Sequence, residues 1–245
     1  MLGHRIRRAA WAAAIAGSFI FVFAVVAFAQ QSDPRQNAPG KFDFYVLALS
    51  WSPSYCESVK QRAPDRQPGL QCGGRPFSFV VHGLWPQYDQ GFPSYCQVPA
   101  ERLTRSIVSG MLDLMPSPRL IFHEWQRHGT CSGLTPSAYF ETLRKARTVV
   151  KIPADFLDPP SPVTVSPAAV ADAFVKANPG LTRAAMAIAC DKTRLIEVRL
   201  CITKEFAFHD CAEVVQHGCK RDKVVMPAVR ADGTDKRADL ILQSR

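Results

Sequence analysis

The chain has 245 residues, of which 47% are hydrophobic and 21% charged, with a formal net charge of +9. Those figures exclude a disordered or fibrous chain and fit one large globular domain or two small ones. A chain of this length can bury a core without a structural metal.

His4, Arg5, Arg7 and Arg8 form a positive start, an apolar stretch runs from Ala9 to Phe28, and Ala27-Phe28-Ala29 follows the A-x-A pattern of a signal-peptidase site. The order predicts a secretory signal over 1–29, with an uncleaved anchor as the alternative. Removing it takes away three arginines and no acids, leaving 27 basic against 21 acidic side chains, or +6. A basic exported chain fits a polyanion partner or solubility alone, and no long Lys/Arg run decides between them. No other segment reaches the length of a bilayer span.

Residues 30–40 are polar with two prolines and read as a flexible start. Lys41 to Trp51 is a predicted buried strand. A second strand is expected from Phe77 to Val81, ending at His82, with Gly83 and Pro86 turning the chain into a loop. Ala100 to Met115 places Leu103, Ile107, Met111 and Leu114 at helical spacing. Arg119 to His128 is a second helix, stopped by Gly129. Thr135-Pro136 starts a third, with Tyr139, Phe140, Leu143 and Ala146 on one face. Residues 151–162 read as a proline-rich loop. Ser166-Pro167 opens a helix carrying Val170 and Phe174, closed by Asn178-Pro179-Gly180. Ala184 to Cys190 and Arg194 to Ile202 are paired strands about a turn at Asp191-Lys192-Thr193. Cys201 to Cys219 reads as short strands or loops, and the tail after Met226 as mobile. Strands at both ends with helices between predict an α+β domain over 41–245.

The eight cysteines are Cys56, Cys72, Cys96, Cys131, Cys190, Cys201, Cys211 and Cys219. An even count in an exported chain predicts four disulfides. Spacing alone leaves 105 pairings open, and the absence of C-x-x-C weakens the redox and zinc-ribbon readings.

Two stretches carry candidate chemistry. "HEWQRHGTC", His123 to Cys131, has the look of the zinc signature H-E-x-x-H. Zinc histidines four apart lie about 40° apart on a helix, whereas His123 and His128, five apart, lie about 140° apart. They would not share a tetrahedral zinc. Glu124 and His128 are four apart, so a carboxylate and an imidazole can share one face, where the carboxylate would raise the histidine's pKa. Such a pair suits proton transfer, but a merely solvated helix face has the same pattern. "FVVHGLWPQ" puts His82 at the end of an apolar strand, with Trp85 offering a flat face for a base or sugar. Two segments, each with His near Gly and Trp, point to a two-histidine acid/base site.

In that order and spacing, "FVVHGLWPQ" and "FHEWQRHGTCS" resemble the two active-site segments of the ribonuclease T2 family. The likeness runs from "FDFYVLALSWSPSYC" to the cysteine-rich end. The resemblance implies an α+β fold with a central antiparallel sheet packed with several helices. It implies cleavage of single-stranded RNA at low base specificity, by transphosphorylation to a 2′,3′-cyclic phosphate and then a 3′-phosphate. No metal and no cofactor are implied. The chain would be an exported monomer, periplasmic or extracellular, without stable membrane association after signal cleavage. Carried over by position, His128 is the general base and His82 the general acid, with the two labels open to exchange. Glu124 supports the histidines and the charged intermediate, His123 and Arg127 hold phosphate, and Trp85 contacts base or phosphate. Arg127 replaces the lysine of many members. Gln87 stands where fungal members often have aspartate, so base preference does not transfer. Phe92 takes the place of a stacking tyrosine, and Leu49-Ser50-Trp51 replaces a glutamine-containing plant sequence. The resemblance also implies the pairs Cys96–Cys131, Cys56–Cys72, Cys190–Cys219 and Cys201–Cys211.

Overall fold

The computed structural model describes residues 35–229. The predicted signal over 1–29 and the end of the expected tail lie outside them. Of the expected flexible start, residues 35–40 are tied down. The Gly40 N–H donates to the Cys131 carbonyl at 2.9 Å, and Asn37 Oδ1 accepts from the Ser94 N–H at 2.9 Å.

The strands and helices, in chain order, are β1 (Phe44–Trp51), α1 (Ser52–Arg62), α2 (Leu70–Gly73), β2 (Phe79–Gln87), α3 (Arg105–Met111), α4 (Pro118–Arg127), α5 (Pro136–Thr148), β3 (Val163–Val165), α6 (Pro167–Ala177), β4 (Met186–Cys190), β5 (Leu195–Ile202), α7 (Ala212–Gln216) and β6 (Val224–Met226). Four strands form an antiparallel sheet in the order β2-β1-β5-β4, and β3 pairs with β6 in a small second sheet. The α+β expectation holds.

β1 lies inside the sheet and is buried on both faces, which explains its unbroken apolar sequence. Tyr45, Leu47, Leu49 and Trp51 pair with or lie near Leu84, Val81, Val198, Leu200 and Ile202. These meet Ile121, Trp125, Tyr139, Leu143, Val170 and Phe174 from the helices in one main core. The opposite face carries a smaller cluster of Phe44, Val46, Cys201 and Cys211, with Trp85 beside it. The three helices α4, α5 and α6 each begin in the way the sequence signals. Ser117, Thr135 and Ser166 accept an N–H with the side chain, and a proline follows.

Several elements differ from expectation. β2 does not end at His82 but runs on to Gln87, because Leu84, Trp85, Pro86 and Gln87 all pair with β1. Pro86 is tolerated because β2 is an edge strand, where no ladder N–H is missed. The helix expected over 100–115 shortens to Arg105–Met111, since Thr104 caps it by accepting the Ile107 N–H at 3.3 Å. α1 was not expected: its apolar spacing is weak, and it is held by the Cys56–Cys72 bridge to α2. Within Cys201–Cys219, otherwise the end of β5 and loop as expected, stands a short helix, α7. All eight cysteines are joined, as Cys56–Cys72, Cys96–Cys131, Cys190–Cys219 and Cys201–Cys211.

Candidate active site

The position of His82 comes from a fault in the β1–β2 ladder. Ala48 pairs with Gly83 and Leu49 with Val81, so His82 is an extra residue without a partner on β1. In an unbroken strand, neighbours alternate faces, and His82 would turn away from Gly83 and Trp85 into the core. The bulge lets Val81 stay in the core and turns His82 out beside Trp85, their ring centroids 5.3 Å apart.

On that face β5 presents Glu197 opposite Ser50 and Arg199 opposite Ala48. His82 Nδ1 lies 2.5 Å from Glu197 Oε2, and His82 Nε2 lies 3.6 Å from Glu124 Oε1. The imidazole is therefore held between two carboxylates that are almost wholly buried.

Glu124 is delivered by α4, whose neighbours Ile121 and Trp125 anchor it in the core. The Trp85 Nε1–H donates to Glu124 Oε2 at 2.7 Å. Gly83 makes this approach feasible, since a Cβ there would run into both Glu124 Oε2 and Trp85 Nε1. His128 follows as the residue after the last turn of α4, with its ring centroid 5.3 Å from that of Trp85 and 6.4 Å from that of Phe92. The Arg127 guanidinium stands 6.0 Å from the Phe92 ring. The Cys96–Cys131 bridge and a 2.9 Å bond from the Tyr95 N–H to the Arg127 carbonyl fasten the Phe92 loop to the end of α4.

The expected Glu124–His128 partnership is not what forms. The four-residue spacing does bring both side chains to Trp85, but among the described residues no hydrogen bond or ion pair joins them, and the Glu124 carboxylate is taken up by His82 and Trp85. Glu124, 1% exposed, points to His82 and Trp85 and is not on a solvated face. The partner sequence reasoning missed is Glu197, with Arg199 and Ser50 around it. A signal was available: two charges at alternate positions of an otherwise apolar strand, Leu195 to Ile202, mark one polar spot on one face. Gln87 is buried at the far end of β2, its carbonyl accepting the Asp43 N–H at 2.8 Å, and no ring contact or hydrogen bond among the described residues joins it to the histidines.

The two histidines are pushed in opposite directions. Burial works against charge on His82, but the hydrogen bond to Glu197 and the charges of Glu197 and Glu124 outweigh burial and the opposing Arg199, and its pKa is raised. Burial, then the positive charges of Arg127, His123 and His82, push His128 down to about 3. Thus the expected upward shift of His128 is reversed, because burial outweighs everything else and no carboxylate among the described residues acts on it. Burial lifts Glu124 to about 7 against the pull of His82 and Trp85. His123, exposed on α4, is lowered by burial and by Arg127, His82 and Arg119, so it shares the same electropositive region. Among the described residues, no group of three or more His, Cys, Asp or Glu side chains is arranged to hold a metal ion.

Comparison with known proteins gives a consistent result. The sequence model of the Ribonuclease T2 family matches residues 42–211. A ribonuclease of Aeromonas hydrophila is 44% identical over 108 residues, covering 44% of this chain and 46% of that protein. Ribonuclease DdI of Dictyostelium discoideum is 29% identical over 207 residues, covering 76% and 85%. The chain thus spans about half the length of the Aeromonas relative and most of the Dictyostelium one. Among solved structures, RNase NT in complex with 5′-AMP superposes with a TM-score of 0.57 at 25% identity, covering 75% of this chain and 97% of the other.

Proposed function

This chain belongs to the Ribonuclease T2 family, and we propose that it is an exported endoribonuclease that cleaves single-stranded RNA by transphosphorylation. The observation that carries this reading is the pair of oppositely biased histidines, His82 and His128, each with its ring centroid 5.3 Å from that of Trp85.

RNA supplies its own nucleophile, so the protein must remove one proton, supply another and hold a crowded phosphate. His128, neutral above pH 3 or so, takes the proton of the 2′-hydroxyl. Its Nδ1 is buried and has no hydrogen-bond partner among the described residues, which leaves Nε2 for the exchange. As the 2′-oxygen bonds to phosphorus, the bond to the 5′-oxygen breaks. His82, kept protonated by its two carboxylates, gives its proton to that oxygen. The products are a 2′,3′-cyclic phosphate and a 5′-hydroxyl. Hydrolysis to the 3′-phosphate runs the two histidines in exchanged roles.

The Arg127 guanidinium adds positive charge where the phosphorane forms, and His123, whose pKa is lowered, offers a ring nitrogen to hold the phosphate. Glu124, near 7, is shared between its acid and its carboxylate, so it can donate to a phosphoryl oxygen in one form and support His82 in the other. The exposed Phe92 ring and Trp85 offer stacking faces that are indifferent to base identity, which supports low base specificity. Four disulfides and the charge of the chain fit export and a polyanionic substrate. Among the described residues no helix is long and apolar enough to cross a membrane.

The test is digestion of dinucleoside phosphates and polymeric RNA by the purified chain in excess EDTA, with products followed by phosphorus NMR. The expected result is a cyclic phosphate that precedes the 3′-phosphate. His82→Ala and His128→Ala should each lose nearly all activity and stay folded. Activity that needs zinc, or a 5′-phosphate product, would overturn the mechanism.

A further inference from the structure

Among the described residues His82 has two carboxylate neighbours, and only Glu124 lies in the two sequence stretches that carry the candidate chemistry. We propose that Glu197, on the far strand β5, is the positioning residue that fixes the ring and the protonation of His82. The inference rests on His82 being the general acid of the reading above.

The geometry favours Glu197 over Glu124 for this task. Glu197 Oε2 is 2.5 Å from His82 Nδ1, whereas Glu124 Oε1 is 3.6 Å from His82 Nε2, beyond a direct hydrogen bond. An imidazole bonded through Nδ1 carries its other proton on Nε2, the nitrogen that faces Glu124 and is left to meet substrate. A carboxylate at Nδ1 also stabilises the imidazolium and prevents rotation of the ring.

Glu197 is itself built for the role. It is 2% exposed, and every described partner of its carboxylate is a donor. Ser50 Oγ donates to Oε2 at 3.2 Å, and Arg199 Nε donates to Oε1 at 2.8 Å. Cross-strand pairing of Glu197 with Ser50 sets this arrangement before any substrate arrives. Arg199 stands 5.4 Å from the Trp85 ring, so the same group that keeps Glu197 ionised also braces the indole that both histidines touch. Burial alone would raise the Glu197 carboxyl; the hydrogen bond from His82 and the charges of His82 and Arg199 hold it below the ordinary value. By contrast Glu124 sits near 7 and is a less constant anion. The charged groups that act on His82 are thus Glu197 and Arg199 from β5 and Glu124 from α4. Positive charge near His123 and His128 comes from Arg127, with Arg119 acting on His123 as well.

A buried Glu at this position would also be explained by a structural bond to Arg199, so the test must separate the two. Glu197→Gln keeps the shape and the bonds to Ser50 but removes the charge. Its kcat on a dinucleoside phosphate should fall about 100-fold, with KM within about twofold. The alkaline limb of the pH–rate profile should move to lower pH, because His82 now loses its proton earlier. Glu197→Asp should recover part of the rate and part of the limb. Nitrogen-15 NMR of the histidine side chains, without substrate, reads the same coupling independently of catalysis: His82 should titrate at lower pH in Glu197→Gln. A folded Glu197→Gln with wild-type kcat, or one that loses rate without any move of the limb or of the His82 titration, overturns the proposal. If neither variant folds, the wild-type spectrum decides. A proton kept on His82 Nδ1 after His123 has become neutral supports the proposal, and a His82 that titrates at or below His123 overturns it. Absence of RNA cleavage by the wild type would sink the reading of His82 as an acid catalyst while the NMR titration still reports on Glu197.

Discussion

Gly83→Ala is a one-carbon perturbation at the point where the site is tightest. The new Cβ would fall inside contact distance of Glu124 Oε2 and Trp85 Nε1, and 2.9 Å from Glu124 Cδ. Neither neighbour is a loose end. Glu124 is 1% exposed on a helix pinned by Trp125, and the Trp85 ring is packed among His82, His128 and Arg199. Overpacking of this kind costs about 1–3 kcal/mol. If the carboxylate swings away instead, its hydrogen bond from Trp85 goes, a charge-assisted bond worth about 1.5–3 kcal/mol. Either route comes to roughly 1–3 kcal/mol, or about 2–12 °C in melting temperature for a domain of this size. Either route also moves Glu124 relative to His82, so kcat/KM should fall by at least about 100-fold. The control is Gly110→Ala on α3, where the added carbon meets nothing within 4 Å and helix propensity should give a small gain, about 0.5–1 kcal/mol. Calorimetry and initial rates on the same preparations decide. A Gly83→Ala chain that melts within about 1 °C of the wild type and keeps its rate would refute the reasoning.

Other outcomes follow from the titrating groups and the disulfides. The kcat/KM of the wild type should rise as pH climbs past about 3, where His128 becomes free, and fall as pH passes the raised pKa of His82; an acidic limb in the neutral range would contradict the assignment of His128 as base. Glu124→Gln mimics the neutral acid that Glu124 becomes below about 7, so its deficit against the wild type should be smaller at pH 5 than at pH 8, and a ratio constant with pH would count against it. The same raised pKa means that the folded chain binds the extra proton, so the contribution of Glu124 to stability falls as pH rises from the ordinary carboxyl value towards 7. Chemical melts of the wild type and Glu124→Gln across that range should diverge in that direction. Replacing both Cys96 and Cys131 by alanine should cost about 3–4 kcal/mol by loop-closure entropy and raise KM more than it lowers kcat, since it frees the Phe92 loop from the end of α4; a drop in kcat alone would mean that the bridge acts on His128 instead.

How much of this was legible in the sequence depends on whether the cause is local. Helices α4, α5 and α6 were legible because Ser117-Pro118, Thr135-Pro136 and Ser166-Pro167 cap and start them within a few residues. The rejection of a zinc pair was also local, a matter of five residues against four. The continuation of β2 through Pro86 was not local: it depends on β2 having an open edge, which only the strand order reveals.

The same distinction runs through the site. "FVVHGLWPQ" reads by alternation as a strand that would send His82 to the side opposite Trp85, and the two meet only because one residue is skipped in the pairing with β1. A bulge is a property of two strands together, so no period in one of them discloses it. Glu124 and His128 fail in the complementary way: the periodicity that brings both to Trp85 says nothing of His82, which lies against the carboxylate instead. Once His82 is turned to that face, the residue opposite Ser50 on β5 is the one that can reach its Nδ1. Glu197, more than a hundred positions away in the chain, therefore becomes its nearest carboxylate, and Glu124, which the motif names, the more distant one. The motif identifies which side chains bring chemistry, and the register decides which of them act on one another.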